Sequence, residues 1–580
     1  MNDPIERLLP NLYARTLSDK LNAVKQIASL CDDAQTLKEV AQHEQLMSAF
    51  ARLLADDSNV ELSFTIGKIL LAISEVEDFH KLMSSHRIGA TILRASNSSG
   101  CLMTPSQEHF AFICLSILVN LADDVTTLRK MIKKGLVPVA VGCLLRSKSA
   151  KSQKVSLRLL QLSSIFEETA VEIANQGHSV ISKLVFLLND VVCMDIQSDV
   201  ITILFNLSFL EECLDLISKE EVHSCLVEKL REERSNPQAA GLLYHLSSKH
   251  ENRQKLFAAG ISNHLIEVMR KTDRKEAIDK ALAGLLVNMT LYPLCAEYFA
   301  RNGVIDFVMS SLRKESSKKL DFTLQVLLKV VRNLSVWSRS LQCKISRAMD
   351  DKEMACLLGH VSEPANYIDF CKQASIYWEQ NFWVAHVSFL WSCTFQCKND
   401  DIVVELVGIL NNLTCDDLPA GNQWHNLMEE YNADMMRFLK RVVDSSDGSV
   451  TPCYDDLKLE VIIWLGVLCT DKECGCWLVS VLDDVNRILS QSFVRTTDDD
   501  LSIEVLFLYE QLLLHEETRF QVIGGDGVID AIICCLDKGH YLGVAAGTCL
   551  ALIEDLSGEY DGSLGCYIRQ KRFVLLVRNP

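Results

Sequence analysis

At 580 residues the chain is long enough for several globular domains, or for one repeat array whose core lengthens with each copy. Its 58 Lys and Arg against 76 Asp and Glu leave a formal charge of −18. That balance argues against nucleic acid as a partner, since such a binder needs a basic footprint to displace counterions from phosphate, and it favours a basic protein segment. With 48% hydrophobic and 23% charged residues, 10 Pro and 25 Gly, the composition suits a folded helical protein with little room for long disordered segments.

Residues 1–20 carry charges throughout and lack an apolar signal core, so the expectation is a chain that starts in the cytosol, with its 22 Cys reduced and used as small core residues. From there one pattern recurs. A weak copy, SFTIGKILLAISE, is followed by ICLSILVNLAD around Asn120, SLRLLQLSS around Gln161, ITILFNLSF around Asn206, AGLLYHLSS around His245, ALAGLLVNMT around Asn288 and VLLKVVRNLS around Asn333. Apolar residues fall at i, i+3, i+4 and i+7, as with Val200, Ile203, Leu204 and Leu207, and a polar residue sits at i+6. The successive spacings of 41, 45, 39, 43 and 45 residues are those of armadillo or HEAT arrays.

Between copies, Gly135, Gly177, Gly260 and Gly303 stand where a short helix must end before the next begins. A unit of inner helix, short helix ending in Gly and outer helix is the armadillo plan, so the expected fold is all-α, an armadillo-repeat right-handed superhelical solenoid. VGILNNLTCDD around Asn412, VIIWLGVLCTD and FLYEQLLLHEETR continue the register more weakly. The interval from Asn333 to Asn412 is nearly two periods, and residues 362–397 within it are rich in aromatics, including Tyr377, Trp378, Phe382, Trp383, Phe389 and Trp391. A degenerate repeat, a lineage-specific insertion and a translated intron all fit that excess. The expected segments are 1–95 (N-terminal armadillo-like repeats), 107–345 (central repeats), 346–400 (insertion or degenerate repeat), 401–560 (C-terminal repeats) and 561–580 (tail), with exposed polar loops at 96–106, 444–456 and 495–500. The longest apolar stretch, ALAGLLVNMTLYPLCAEYF, contains Asn288, Pro293 and Glu297 and reads as two buried helices with a turn, not a membrane span.

No phosphate-binding glycine loop, HExxH, GxSxG or kinase signature occurs, which predicts neither catalysis nor a cofactor. IGGDGVID, with Gly524, Gly525 and Gly527, follows a helix and fits an inter-helix turn. Cys469, Cys474 and Cys476 lack the second ligand pair that a zinc site needs, and His80 and His86 lack metal-ligand partners. The residues that stand out are Asn120, Asn206, His245, Asn288, Asn333 and Asn412. Four of them match glycosylation sequons, yet the repeat explains the match, and stacked inner helices would align the side chains along one surface. There an amide can donate to and accept from an extended peptide, or bond locally between repeats. The Trp residues that nuclear-import armadillo carriers place four positions before such Asn are absent: Thr202, Gly284 and Gly408 stand there.

From end to end, these segments resemble the kinesin-associated protein family, the non-motor subunits of heterotrimeric kinesin-II. The likeness is carried in order by NVELSFTIGKILLAISEVEDFHKLMSSHRIGA, FICLSILVNLADDVTTLRK, LRLLQLSSIFEE, ITILFNLSF, GLLYHLSS, KVVRNLS, LVGILNNLTCDDL, LKLEVIIWLGVL and YEQLLLHEETRFQVI, over most of residues 1–560. It implies a non-catalytic adaptor that binds the tails of a motor pair and links them to cargo or intraflagellar transport proteins, in the cytoplasm, on the cytoskeleton and in cilia or flagella. Against the family pattern, the chain begins almost at the array, its hinge near 96–106 is short, residues 362–397 are extra and the ending KRFVLLVRNP is abrupt. A generic armadillo scaffold of another complex is the alternative, and an enzyme or a regulatory subunit of one, such as a nucleotide exchange factor, is a more distant one.

Overall fold

The repeat pattern becomes helices whose ends are written in the sequence. Asn59 starts the inner helix Val60–Ser74 by accepting the Leu62 N–H at 3.0 Å, and Ile66, Ile69, Leu70 and Ile73 on its buried stripe are 0–2% exposed. Each such side chain contributes about 1.5–3 kcal/mol by leaving water. Asp124 caps the short helix Val125–Ile132 through the Thr127 N–H at 2.9 Å, Gly135 turns the chain at φ 95°, and the outer helix Leu136–Arg146 leads to the next inner helix, Ala150–Ser163. Gly177, Gly260, Gly303 and Gly527 also stand at positive φ, between 71° and 82°.

This computed structural model describes residues 4–55, 59–97, 105–190, 194–232, 236–271, 279–305, 307–309, 322–347, 383–397, 399–414, 423–444, 452–481, 499–524, 527–555 and 566–570. Tyr377, Trp378, Phe382, Gly525, most of the three polar segments and most of the tail lie outside the described residues. The described residues are helical, without a strand.

The chain divides into two units, Met1–His264 and Leu265–Pro580. In the first, the inner helices Leu17–Leu30, Val60–Ser74, Pro105–Leu121, Ala150–Ser163, Met194–Leu207 and Pro237–Ser247 pack each on the next. In the second the corresponding row is Lys280–Met289, Phe322–Arg347, Asp400–Leu413, Pro452–Leu468, Asp499–Leu514 and His540–Asp555. A three-helix repeat cannot bury its apolar stripe alone, and stacking supplies the missing face.

Three elements refine the sequence reading. In Ala150–Ser163 the buried set is Ser156, Leu159, Leu160 and Ser163, so the register position assigned to Gln161 belongs to Leu162. Two buried serines, donating to the carbonyls of Ser152 and Leu160, stand where other repeats carry apolar side chains and shift the apparent pattern by one. Across the long interval, Asp400–Leu413 packs directly on Phe322–Arg347. The aromatic helix Trp383–Gln396 is the outer helix that precedes it, with Trp391 fully buried 5.0 Å from the Trp464 ring. The apolar stretch around Asn288 is two helices, Lys280–Met289 and Pro293–Arg301, bent by 104° at the break. Among the described residues no single helix is long and apolar enough to cross a membrane.

Candidate functional site

The six singled-out residues share one register position on their inner helices, and most of them reach back to the preceding repeat. Asn120 Nδ2 donates to Ser74 Oγ at 2.9 Å, Asn206 to Ser164 at 2.8 Å, Asn333 to Thr290 Oγ1 at 2.8 Å and Asn412 to Ser335 at 3.0 Å. Each accepting hydroxyl stands at i+8 of its own helix and donates onward to the carbonyl three residues earlier: Leu71, Gln161, Val287 and Arg332. The sequon-like spacing thus has a structural reason, since Asn binds the repeat before and Ser or Thr receives the repeat after. Where the amide is replaced, at Leu162, the preceding repeat has Ala122 in place of the hydroxyl. Of these hydroxyl partners Thr290 and Ser335 stand two positions after an Asn, whereas Ser74 and Ser164 stand at the same spacing after Ala72 and Leu162.

His245 takes the amide's place with an imidazole. Its Nδ1 lies 2.6 Å from Ser208 Oγ, and that hydroxyl donates to Phe205 O, so the network assigns the proton to Nδ1. Burial lowers the pKa of the ring and keeps it neutral. His245 also anchors an aromatic patch: Phe205 stacks on it at 5.6 Å, and Phe209 meets it edge-on at 4.6 Å while remaining 70% exposed. The patch sits over Gly241, where a Cβ would come within 2.4 Å of the Phe205 ring.

In the second unit Arg332 plays the part of Phe205. Its guanidinium covers Gly408 and forms ion pairs with Glu405, at 3.5 Å, and with Glu460. Lys329 adds a third contact, 3.6 Å from Glu405. Burial raises the Glu405 pKa while Arg332 and Lys329 oppose the rise. Glu504, on the next inner helix but one after Glu405, is raised by burial and by Asp500 and Glu460. Glu405, Glu460 and Glu504 hold the same register position on three successive helices, so this stretch of the row is acidic except where Arg332 crosses it.

Near Asn288, burial pushes the Glu297 carboxyl up to about 7, although Arg301 approaches it at 2.5 Å. The folded state therefore holds the proton more tightly than the unfolded chain. The stabilising contribution is complete below the normal carboxylate range and is lost as pH rises toward neutrality. Between about pH 6 and about pH 8 the loss is about 1 kcal/mol, read as a lower thermal midpoint at the higher pH, and Glu297→Gln removes most of that difference.

Cys469 and Cys474 are buried and burial raises both thiols, which makes them poor ligands and inert core residues. Among the described residues no group of three or more His, Cys, Asp or Glu is placed to hold a metal ion.

Rows of stacked inner helices joined by these polar side chains define an armadillo-type solenoid. A chain solved in work on the phosphorylation switch that controls the interaction between cadherin and beta-catenin shares this fold, with a TM-score of 0.59 at 14% identity over 95% of this chain and 99% of that one. An engineered protein matches 80% of this chain and 99% of its own length at 16% identity and a TM-score of 0.46. The family model described as Kinesin-associated protein (KAP) matches residues 100–364 and 373–563. The chain belongs to the kinesin-associated protein family, as an adaptor of armadillo-type fold.

Proposed function

We propose that this chain is the non-motor subunit of a heterotrimeric kinesin-II, holding the tails of the motor pair and linking them to cargo, including intraflagellar transport proteins. On this reading it works in the cytoplasm, on the cytoskeleton and in cilia or flagella. The observation that carries the proposal is the family match, which spans inner helices of both units. The inner-helix rows of the two units are the proposed seats of the motor tails, with Asn120, Asn206 and His245 along the first and Asn288, Asn333 and Asn412 along the second. Asn120, Asn206 and Asn333 use Nδ2 toward the neighbouring repeat, while their Oδ1 atoms make no bond among the described residues and suit a peptide N–H.

The charge of −18 and the Glu405, Glu460 and Glu504 row favour a basic tail segment. Exposed charges are screened beyond about 8 Å at physiological ionic strength, so steering acts on the encounter while apolar contacts hold the complex. Kinetics measured with purified motor tails across a salt series should show association slowing more than dissociation quickens. Tight binding that ignores salt would leave the partner in place and refute the electrostatic mechanism.

A further inference from the structure

The acidic total conceals a basic island. His80–Gln107 and Val125–Phe166 together carry twelve of the 58 Lys and Arg and no Asp or Glu. Within it, a slot of about 770 Å³ opens between the helices Ile88–Asn97 and Val125–Ile132 of the first unit. Arg87, Arg94, Lys130 and Lys134 line it with Thr91 and Thr127, and no lining residue is acidic. The carboxylate tied to this lining, Asp124, is engaged by the N–H and hydroxyl of Thr127 as the cap of its helix. A second slot in this unit, of about 560 Å³ between the helix Ala34–Gln42 and residues 76–82, carries only Lys38 and Asp78 as charges, so a cationic lining is not shared by both clefts.

Arg87 marks the site independently. Its backbone has a positive φ, 58°, and it precedes an outer helix at the position where Gly135, Gly177, Gly260, Gly303 and Gly527 also have positive φ. Glycine is the unstrained choice there, and an arginine with an exposed side chain is not explained by folding. It places a guanidinium at the slot, beside two ammonium groups that form no ion pair among the described residues.

We propose that this slot binds a phosphorylated serine or threonine segment of a partner protein, a function separate from the motor-tail seat. Cations lining one slot repel one another, and a phosphate monoester, with nearly two negative charges and three acceptor oxygens, neutralises them better than a single carboxylate. A membrane headgroup offers similar chemistry, but the large apolar residues of the lining, Leu93, Leu121 and Met131, are at most 3% exposed and give a bilayer nothing to receive.

The test uses the full chain and fluorescence anisotropy with a short labelled peptide carrying two phosphothreonines, its unphosphorylated parent, and phosphatidylcholine vesicles doped with a phosphoinositide. The phosphopeptide should bind about tenfold or more tightly than its parent. Arg87→Gly should weaken it by about tenfold while leaving the thermal midpoint unchanged or higher, because glycine relieves the strained turn. Lys130→Gln with Lys134→Gln should also weaken it and serves as a second variant that leaves the turn untouched. Equal binding of the parent peptide, native affinity in both variants, or binding to vesicles without binding to the phosphopeptide would each overturn the proposal.

Discussion

Gly241→Leu should destabilise the first unit by about 3 kcal/mol. Any side chain at this position must enter the space of the Phe205 ring, 2.4 Å from an added Cβ. The ring cannot simply swing aside, because it stacks on His245, which is held by Ser208, and packs against Phe209 at 5.2 Å. Leucine is a better helix former than glycine by about 1 kcal/mol, which offsets only part of the overpacking. Denaturant unfolding followed by hydrogen exchange should localise the loss to the repeats around Met194–Leu207 and Pro237–Ser247. A Gly241→Leu variant as stable as the native chain would mean that the ring is not locked.

The second large effect concerns the repeat-to-repeat amides. Asn412→Ala should cost about 1–3 kcal/mol, since Ser335 Oγ and Arg332 O both lose a donor at a half-buried site. Asn412→Asp should cost at least as much, because a carboxylate cannot donate to either group. Combining Asn412→Ala with Ser335→Ala should cost less than the sum, by about 1 kcal/mol, as expected for two groups that share one bond. If the same variants instead leave stability untouched and weaken tail binding, the amides serve the ligand and not the stack.

Much of this architecture was legible before any coordinates, because armadillo packing depends on local features that the sequence states directly. Apolar side chains at i, i+3, i+4 and i+7 define the stripe, and glycines such as Gly135 and Gly303 take a backbone conformation that few other residues tolerate. The polar row was visible for the same reason. Its wiring was not, since the pairing of Asn206 with Ser164 crosses 42 residues and depends on how helices stack. Ala150–Ser163 misled the register because serine can be buried when its hydroxyl bonds to its own helix. Arg87 broke the glycine rule, and its slot joins residues from two repeats that only the fold brings together. Arg332 likewise meets Glu460 across 128 residues of chain.

The most direct measurement is the mass of the assembly formed when the full chain is mixed with the paired tails of a kinesin-II heterodimer, read by light scattering on a sizing column, with the tails of a homodimeric kinesin as control. One copy of this chain per heterodimeric tail pair, and none with the homodimer, is the predicted result. A chain that elutes alone at every salt concentration, or that binds both kinds of tail equally, would contradict the account.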